Sequence, residues 1–333
     1  MMPELNPQDA ARTLGQPPPE IASQRRSLLS PPGGSNQGVK AVFWNENELR
    51  AAWRLIVYII IFSAFVALGI RAALFIHLPT MRSSEMTATG ALVQELITMS
   101  AALAAAAILG RLERRPFGVY GLPREGAFRA RFWQGVVWGL AMIAAMISLI
   151  RVFGGFSFGD LALHGSILWG YAALWGLVFL CVGFFEEFFF RGYTQFTMAT
   201  GLGFWPAATI MSASFGALHL SNSGEGPVGA LSVFVIGMFF CLTLRRTGNL
   251  WFAVGLHASF DWGETYLFSV PNSGIVAAGH LLNSSFHGPA WLTGGTVGPE
   301  GSVMAFAVMA MSAVVFARFY PAPERNENSS GAI

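Results

Sequence analysis

From residue 53 onward the chain alternates long apolar runs with short polar connections. The runs fall near 53–76, 88–110, 132–153, 166–190, 204–220, 227–246, 249–269 and 302–320. Each approaches the roughly 20 residues an α-helix needs to cross about 30 Å of hydrocarbon. Open strands would leave backbone groups unpaired in lipid, and the alternation of a barrel strand is absent. The pattern therefore predicts an all-α fold, a polytopic membrane helix bundle of about eight transmembrane helices. The fourth run can continue through Thr194-Gln-Phe-Thr-Met-Ala199 to the break at Gly201-Leu-Gly203.

The polar stretches divide the rest of the chain. Residues 1–48, rich in Pro, Ser, Gly, Asn and Gln, cannot bury enough apolar surface to offset their ordering entropy and are expected to form a disordered cytoplasmic tail. They lack the short apolar core and cleavage site of a secretory signal, so the first apolar run is expected to remain as a helix. Residues 49–164 hold the N-terminal transmembrane helices and a basic cytoplasmic loop, 165–270 a helical core, and 271–301 an external loop without Lys or Arg. Residues 302–320 form the last transmembrane helix and 321–333 a second cytoplasmic tail. Arg111, Arg114, Arg115, Arg124, Arg129 and Arg131 mark the 111–131 connection as cytoplasmic, and an even number of spans puts both termini on that side.

Composition narrows the function classes. Hydrophobic residues make up 53% of the chain and charged ones only 11%, against about 25% in a soluble domain. A net charge of +2 gives no basis for a nucleic-acid partner, so membrane lipid is the expected surrounding. Cys181 and Cys241 lie inside apolar runs without the spacing of a disulfide framework or a thiolate metal site, and read as small hydrophobes.

Against this background a few polar residues stand out, because ionisable groups at membrane depth are costly and usually functional. They are Glu186, Glu187 and Arg191 in Cys181-Val-Gly-Phe-Phe-Glu-Glu-Phe-Phe-Phe-Arg191, His219 in Ser214-Phe-Gly-Ala-Leu-His219, and His257 with Asp261 in Leu256-His-Ala-Ser-Phe-Asp261. At helical spacing Glu187 and Arg191 share a face and can pair, leaving Glu186 to point elsewhere, into the bundle. Asp261, four residues after His257, can orient its imidazole, Glu264 follows a turn later, and Phe215 can pack beside the His219 ring. Taken singly, each buried His is more simply a polar group bonded to a neighbouring helix, and the Glu187–Arg191 pair can be structural. In combination they form an inventory for hydrolysis. His77, His164, His280 and His287 lie at helix ends or in loops, and Glu95 reads as an internal polar contact. Two other classes share some of these features: a secondary transporter, which would show repeated halves that are absent here, and a non-catalytic scaffold or immunity protein on the same bundle.

The order Glu186-Glu187-x-x-x-Arg191, Phe215-x-x-x-His219, His257-x-x-x-Asp261 resembles the three-part signature of the CPBP family, the CAAX-protease and bacteriocin-processing (Abi) group of intramembrane proteases. The resemblance implies an endopeptidase acting on a membrane-associated protein or peptide, in the plasma membrane of a prokaryote. It implies catalytic roles for Glu186, Glu187, Arg191, His219, His257 and Asp261. Without a cofactor, Glu186 is the base assisted by His219, while His257 with Asp261 polarises the carbonyl. With Zn²⁺, His219, His257 and Asp261 would hold the metal and Glu186 would shuttle the proton. Asp261 stands where the eukaryotic CAAX-processing branch has Asn, so a prenylated substrate is not implied. One requirement follows from depth: His219 lies near the end of its helix, so Glu186 can reach it only if the fourth helix runs on through Met198, bent or tilted.

Overall fold

The computed structural model describes residues 44–45, 48–79 and 85–321. The expected tails fall almost wholly outside the described residues. Helices dominate: α1 (Ala51–Phe75), α2 (Ala88–Leu112), α3 (Ala130–Val152), α4 (Ser166–Glu186), α5 (Gln195–Leu202), α6 (Phe204–His219), α7 (Pro227–Thr247), α8 (Trp251–Trp262) and α9 (Val303–Phe319). A widened π-helical stretch, Glu187–Thr194, joins α4 to α5, and another, Gly263–Leu267, prolongs α8. Six of the eight apolar runs match their helices to within two residues at both ends. The fourth helix continues to Leu202, as the depth requirement demanded, and the regular part of the seventh stops at Trp262. Among the described residues, five helices are long and apolar enough to cross a membrane, with α4 through α5 counting as one of 37 residues.

Local chemistry sets the helix ends. The hydroxyls of Thr87 and Ser302 accept the Gly90 and Ala305 amides and cap α2 and α9. Pro227 opens α7, and Gly248, at φ +77°, closes it in the left-handed conformation.

The bundle is held together by close backbone packing. Gly135 and Gly139 on α3 lie directly against the carbonyls of Phe252 and Leu256 on α8, while Gly255 lies against the Phe132 carbonyl of α3. No Cβ fits at these positions, so the two backbones meet without intervening side chains, as small residues permit between helices in lipid. Ser259 tightens the seam by donating to the Val136 carbonyl at 3.0 Å. On one side of it Phe316 meets Trp138, Phe239 and Phe252 edge-on, which fixes α9 to α3, α7 and α8.

The 271–301 connection is folded rather than loose. Val276–Ala277 pairs in parallel with Glu85–Met86, and Ser285–Phe286 pairs antiparallel with Phe156–Ser157. Asn222 of the α6–α7 connection donates to the Ser273 carbonyl at 3.0 Å, and Thr296 donates to the Gly224 carbonyl at 3.0 Å. This segment thus packs over one end of the bundle.

Candidate active site

The two acids and the arginine occupy the point where the fourth helix bends. Gly192 departs from helical geometry (φ −86°, ψ −114°), and the Thr194 hydroxyl bonds the carbonyls of Phe189 and Phe190 that the bend releases. Phe188 and the Tyr120 carbonyl pack against Gly192, so the kink sits in a tight pocket. The widened turn separates the neighbours. Glu187 and Arg191 are wholly buried, whereas about a fifth of the Glu186 side chain remains accessible.

Arg191 Nη1 meets Glu187 Oε1 at 3.2 Å, the pair expected from their spacing. The guanidinium carbon lies 4.3 Å from the ring centre of Phe215, 5.2 Å from Phe240 and 5.7 Å from Phe190, an aromatic enclosure suited to a desolvated cation. Glu187 Oε1 also accepts Nδ1 of His257 at 2.9 Å. Beside the expected contact with Asp261, the short bond comes from Glu187, across the helix interface. Asp261 Oδ2 and Glu186 Oε2 each lie 3.5 Å from His257 Nε2. Phe240 stacks on the imidazole at 5.1 Å and fixes its plane. His257 thus has one nitrogen committed to Glu187 and the other turned to two carboxylates.

His219 is oriented by its own helix. Its Nδ1 lies 2.9 Å from the Phe215 carbonyl, which can only accept, so Nδ1 carries the hydrogen and Nε2 is left as an acceptor. The Phe215 ring meets it edge-on at 4.6 Å and lies 6.2 Å from the His257 ring. Glu186, His219, His257 and Asp261 all line one cavity of about 460 Å³, whose opposite walls are apolar, among them Phe62, Val178, Phe179 and Val182. Glu187 and Arg191 do not line it but contact His257 and Phe215, which do.

Comparison with known families bears on this geometry. Residues 167–263 match the family described as type II CAAX prenyl endopeptidase Rce1-like. The core resembles that family. The match spans all three motifs and bears out the resemblance to the CPBP group; the matched family is one of endopeptidases, and the long apolar helices fit an integral, multi-pass membrane protein. No curated protein matches the chain.

The Rce1-like segment supplies the four polar groups, but other parts complete the cavity. Gln94 and Glu95 enter from α2, and Asn272, Ser273 and Glu300 from the folded connection. Thr98 donates to Glu95 Oε2 at 3.2 Å. An acid beside a glutamine inside an apolar run was the available signal for Glu95; nothing in the sequence pattern singles out Glu300.

Zn²⁺ bound by His219, His257 and Asp261 is not supported by this arrangement. Among the described residues no three His, Cys, Asp or Glu side chains are gathered to hold a metal ion. His219 Nδ1 is held by the Phe215 carbonyl and His257 Nδ1 by Glu187, which leaves only Nε2 of each ring uncommitted to these partners, and the chemistry below is derived from the side chains alone.

Proposed function

We propose that this protein hydrolyses a peptide bond of a membrane-associated protein or peptide with water activated by Glu186. The observation that carries the reading is one cavity faced by a partly accessible carboxylate and two imidazoles from three separate helical segments. Glu186 takes a proton from water, and the resulting hydroxide oxygen attacks the carbonyl carbon. The carbonyl electron pair moves to oxygen, and Nε2–H of His257 donates to the oxyanion. Glu187 holds the opposite nitrogen, and Asp261 favours the charged ring. Collapse of the intermediate breaks the C–N bond, and Glu186 returns its proton to the leaving amine. Nε2 of His219, an acceptor, assists by orienting the water. Arg191 holds Glu187 in place.

The deciding experiment is turnover of a peptide library by the reconstituted full chain, with Glu186→Gln as the matched variant. Equal turnover by both folded proteins would rule out Glu186 as the base. Chelation followed by zinc add-back tests the cofactor-free mechanism: loss and recovery of activity would replace it by a metal-assisted one. The basic 111–131 connection is proposed to be cytoplasmic and the 271–301 connection external. Single cysteines at the exposed positions Glu125 and His287 should then label from opposite faces of the membrane.

A further inference from the structure

The charged groups on the cavity wall are unbalanced. Glu95, Glu186, Asp261 and Glu300 line it, together with His219 and His257, and among the described lining residues there is no Lys or Arg. Glu186 and Asp261 share His257, and Glu95 has Thr98. Glu300 is different, because it comes from outside the Rce1-like segment and is held by a purpose-built turn. Ser273 donates to Glu300 Oε2 with both its amide, at 2.8 Å, and its hydroxyl, at 2.7 Å. To aim that amide Ser273 adopts φ +44°, a left-handed conformation that costs a non-glycine residue energy, and it is only 6% exposed. Both bonds fall on one oxygen, so Oε1 is not committed to Ser273.

A second observation points the same way. Glu264, on the widened turn after α8, is fully buried, and among the described residues neither of its carboxylate oxygens has a hydrogen-bond partner. Its electrostatic neighbours are Glu300, Asp261 and Glu225. A buried carboxylate with three others as electrostatic neighbours, and no Lys or Arg on the adjoining wall beside the two histidines, leaves this end of the cavity suited to a cation. No three of these groups are gathered tightly enough for a metal ion, so the fitting cation is an extended hydrogen-bond donor.

We propose that Glu300, set by Ser273 and backed by Glu264, forms a subsite for a lysine or arginine side chain of the peptide substrate. The inference rests on the endopeptidase reading and adds its substrate class. Glu300 is a specificity determinant placed beyond the reacting bond.

Two measurements on the reconstituted full chain test it. The first compares kcat/KM for N-acetylated peptides that differ only in carrying Arg, Gln or Glu at one position near the scissile bond. The Arg peptide should exceed the Gln peptide by on the order of 10-fold or more, with the Glu peptide poorest, and Glu300→Gln should bring the Arg/Gln ratio to within about threefold. The second measures fluorescence anisotropy of the same labelled peptides on the Glu186→Gln background, where the Arg preference in Kd should again vanish with Glu300→Gln. Glu300→Asp, which keeps the charge, should retain part of the preference and guards against misfolding of the Gln variant. Equal binding of Arg and Gln peptides, or a preference unchanged in folded Glu300→Gln, overturns the subsite. Preferential binding without turnover by wild type would instead sink the endopeptidase reading and leave the subsite standing.

Discussion

Two buried polar clusters in this molecule contain the same ingredients and differ in how completely they are satisfied. Where α2 ends, Glu113 receives Tyr193 at 2.8 Å on one carboxylate oxygen, and Arg54 and Tyr120, both at 3.3 Å, on the other, with Arg115 at 3.6 Å. Arg54 also reaches Thr200 at 3.3 Å, tying α1 to α5. No member of this cluster lines the cavity. In the second cluster Arg191 Nη1 meets Glu187 Oε1, while Glu187 Oε2 and Arg191 Nε and Nη2 have no hydrogen-bond partner among the described residues, and Glu186 and Asp261 stop 3.5 Å short of His257 beside open space. Saturated ligation makes a fastening, and incomplete ligation next to a void leaves groups able to change partner. The same residue types thus serve structure in one place and, on the proposed reading, are offered to a substrate in the other.

The comparison breaks most visibly if the two glutamates are exchanged for their amides. Glu186→Gln should lower kcat by about 10²–10⁴-fold with the thermal midpoint almost unchanged, because it removes a base and no fastening. Glu113→Gln should do the reverse, with a lowered midpoint and a much smaller loss of activity per folded molecule; steady-state kinetics and thermal unfolding in the same detergent read both. Equal kinetic losses would dissolve the distinction. Next in size is Arg191→Ala, which leaves Glu187 buried without its cation and should destabilise by about 3–5 kcal/mol while also reducing turnover. Gly237→Ala probes the same cation more gently. A Cβ there would lie 2.5 Å from Arg191 Nη2, so the guanidinium must shift, at about 1–3 kcal/mol by denaturant titration, whereas an unchanged midpoint would mean that the enclosure is loose.

The smallest effect concerns pH. Burial pushes the Glu300 carboxyl above its ordinary 4.5, the two Ser273 donors pull it down, Glu225 pushes it up and His257 pulls it down. Asp261 and Glu264 also face it. Because the folded value lies above the unfolded one, the protonated form favours the folded state. That contribution is fully present below the unfolded value and is lost as pH rises through the folded one. The stability of wild type relative to Glu300→Gln should therefore decline as pH climbs above the ordinary 4.5 of the unfolded carboxyl. A difference in thermal midpoint that stays constant over that range would contradict the assignment.

Much of the bundle was legible in the sequence because burial in lipid imposes a simple rule on composition, and eight apolar runs obey it. The Glu187–Arg191 pair and the Phe215–His219 contact follow from spacing within one helix, and the bend of the fourth helix from the depth at which Glu186 must meet His219. The Glu187–His257 bond spans 70 residues and depends on how α4 and α8 rotate against each other, which no local period encodes. Glu300 reaches the cavity only because a glycine-rich connection folds back through short strand pairs and a strained serine, and such paths leave little trace in hydropathy. The resemblance to a known signature pointed to four polar groups that share the cavity but not to the wall that other parts of this chain add to them.

The glycine seam between α3 and α8 has a consequence for vertical alignment. Gly135 and Gly139 are spaced like the Phe252 and Leu256 carbonyls they receive, so the two helices engage as a rack with one stable notch. Sliding α8 by one residue, about 1.5 Å along its axis, would drive those carbonyls toward larger neighbours such as Val136 or Trp138. The height of His257 and Asp261 relative to α3 is thereby indexed by residues that carry no side chain at all, and a single methyl group on that rack would be felt as a mis-set depth of both groups in the cavity.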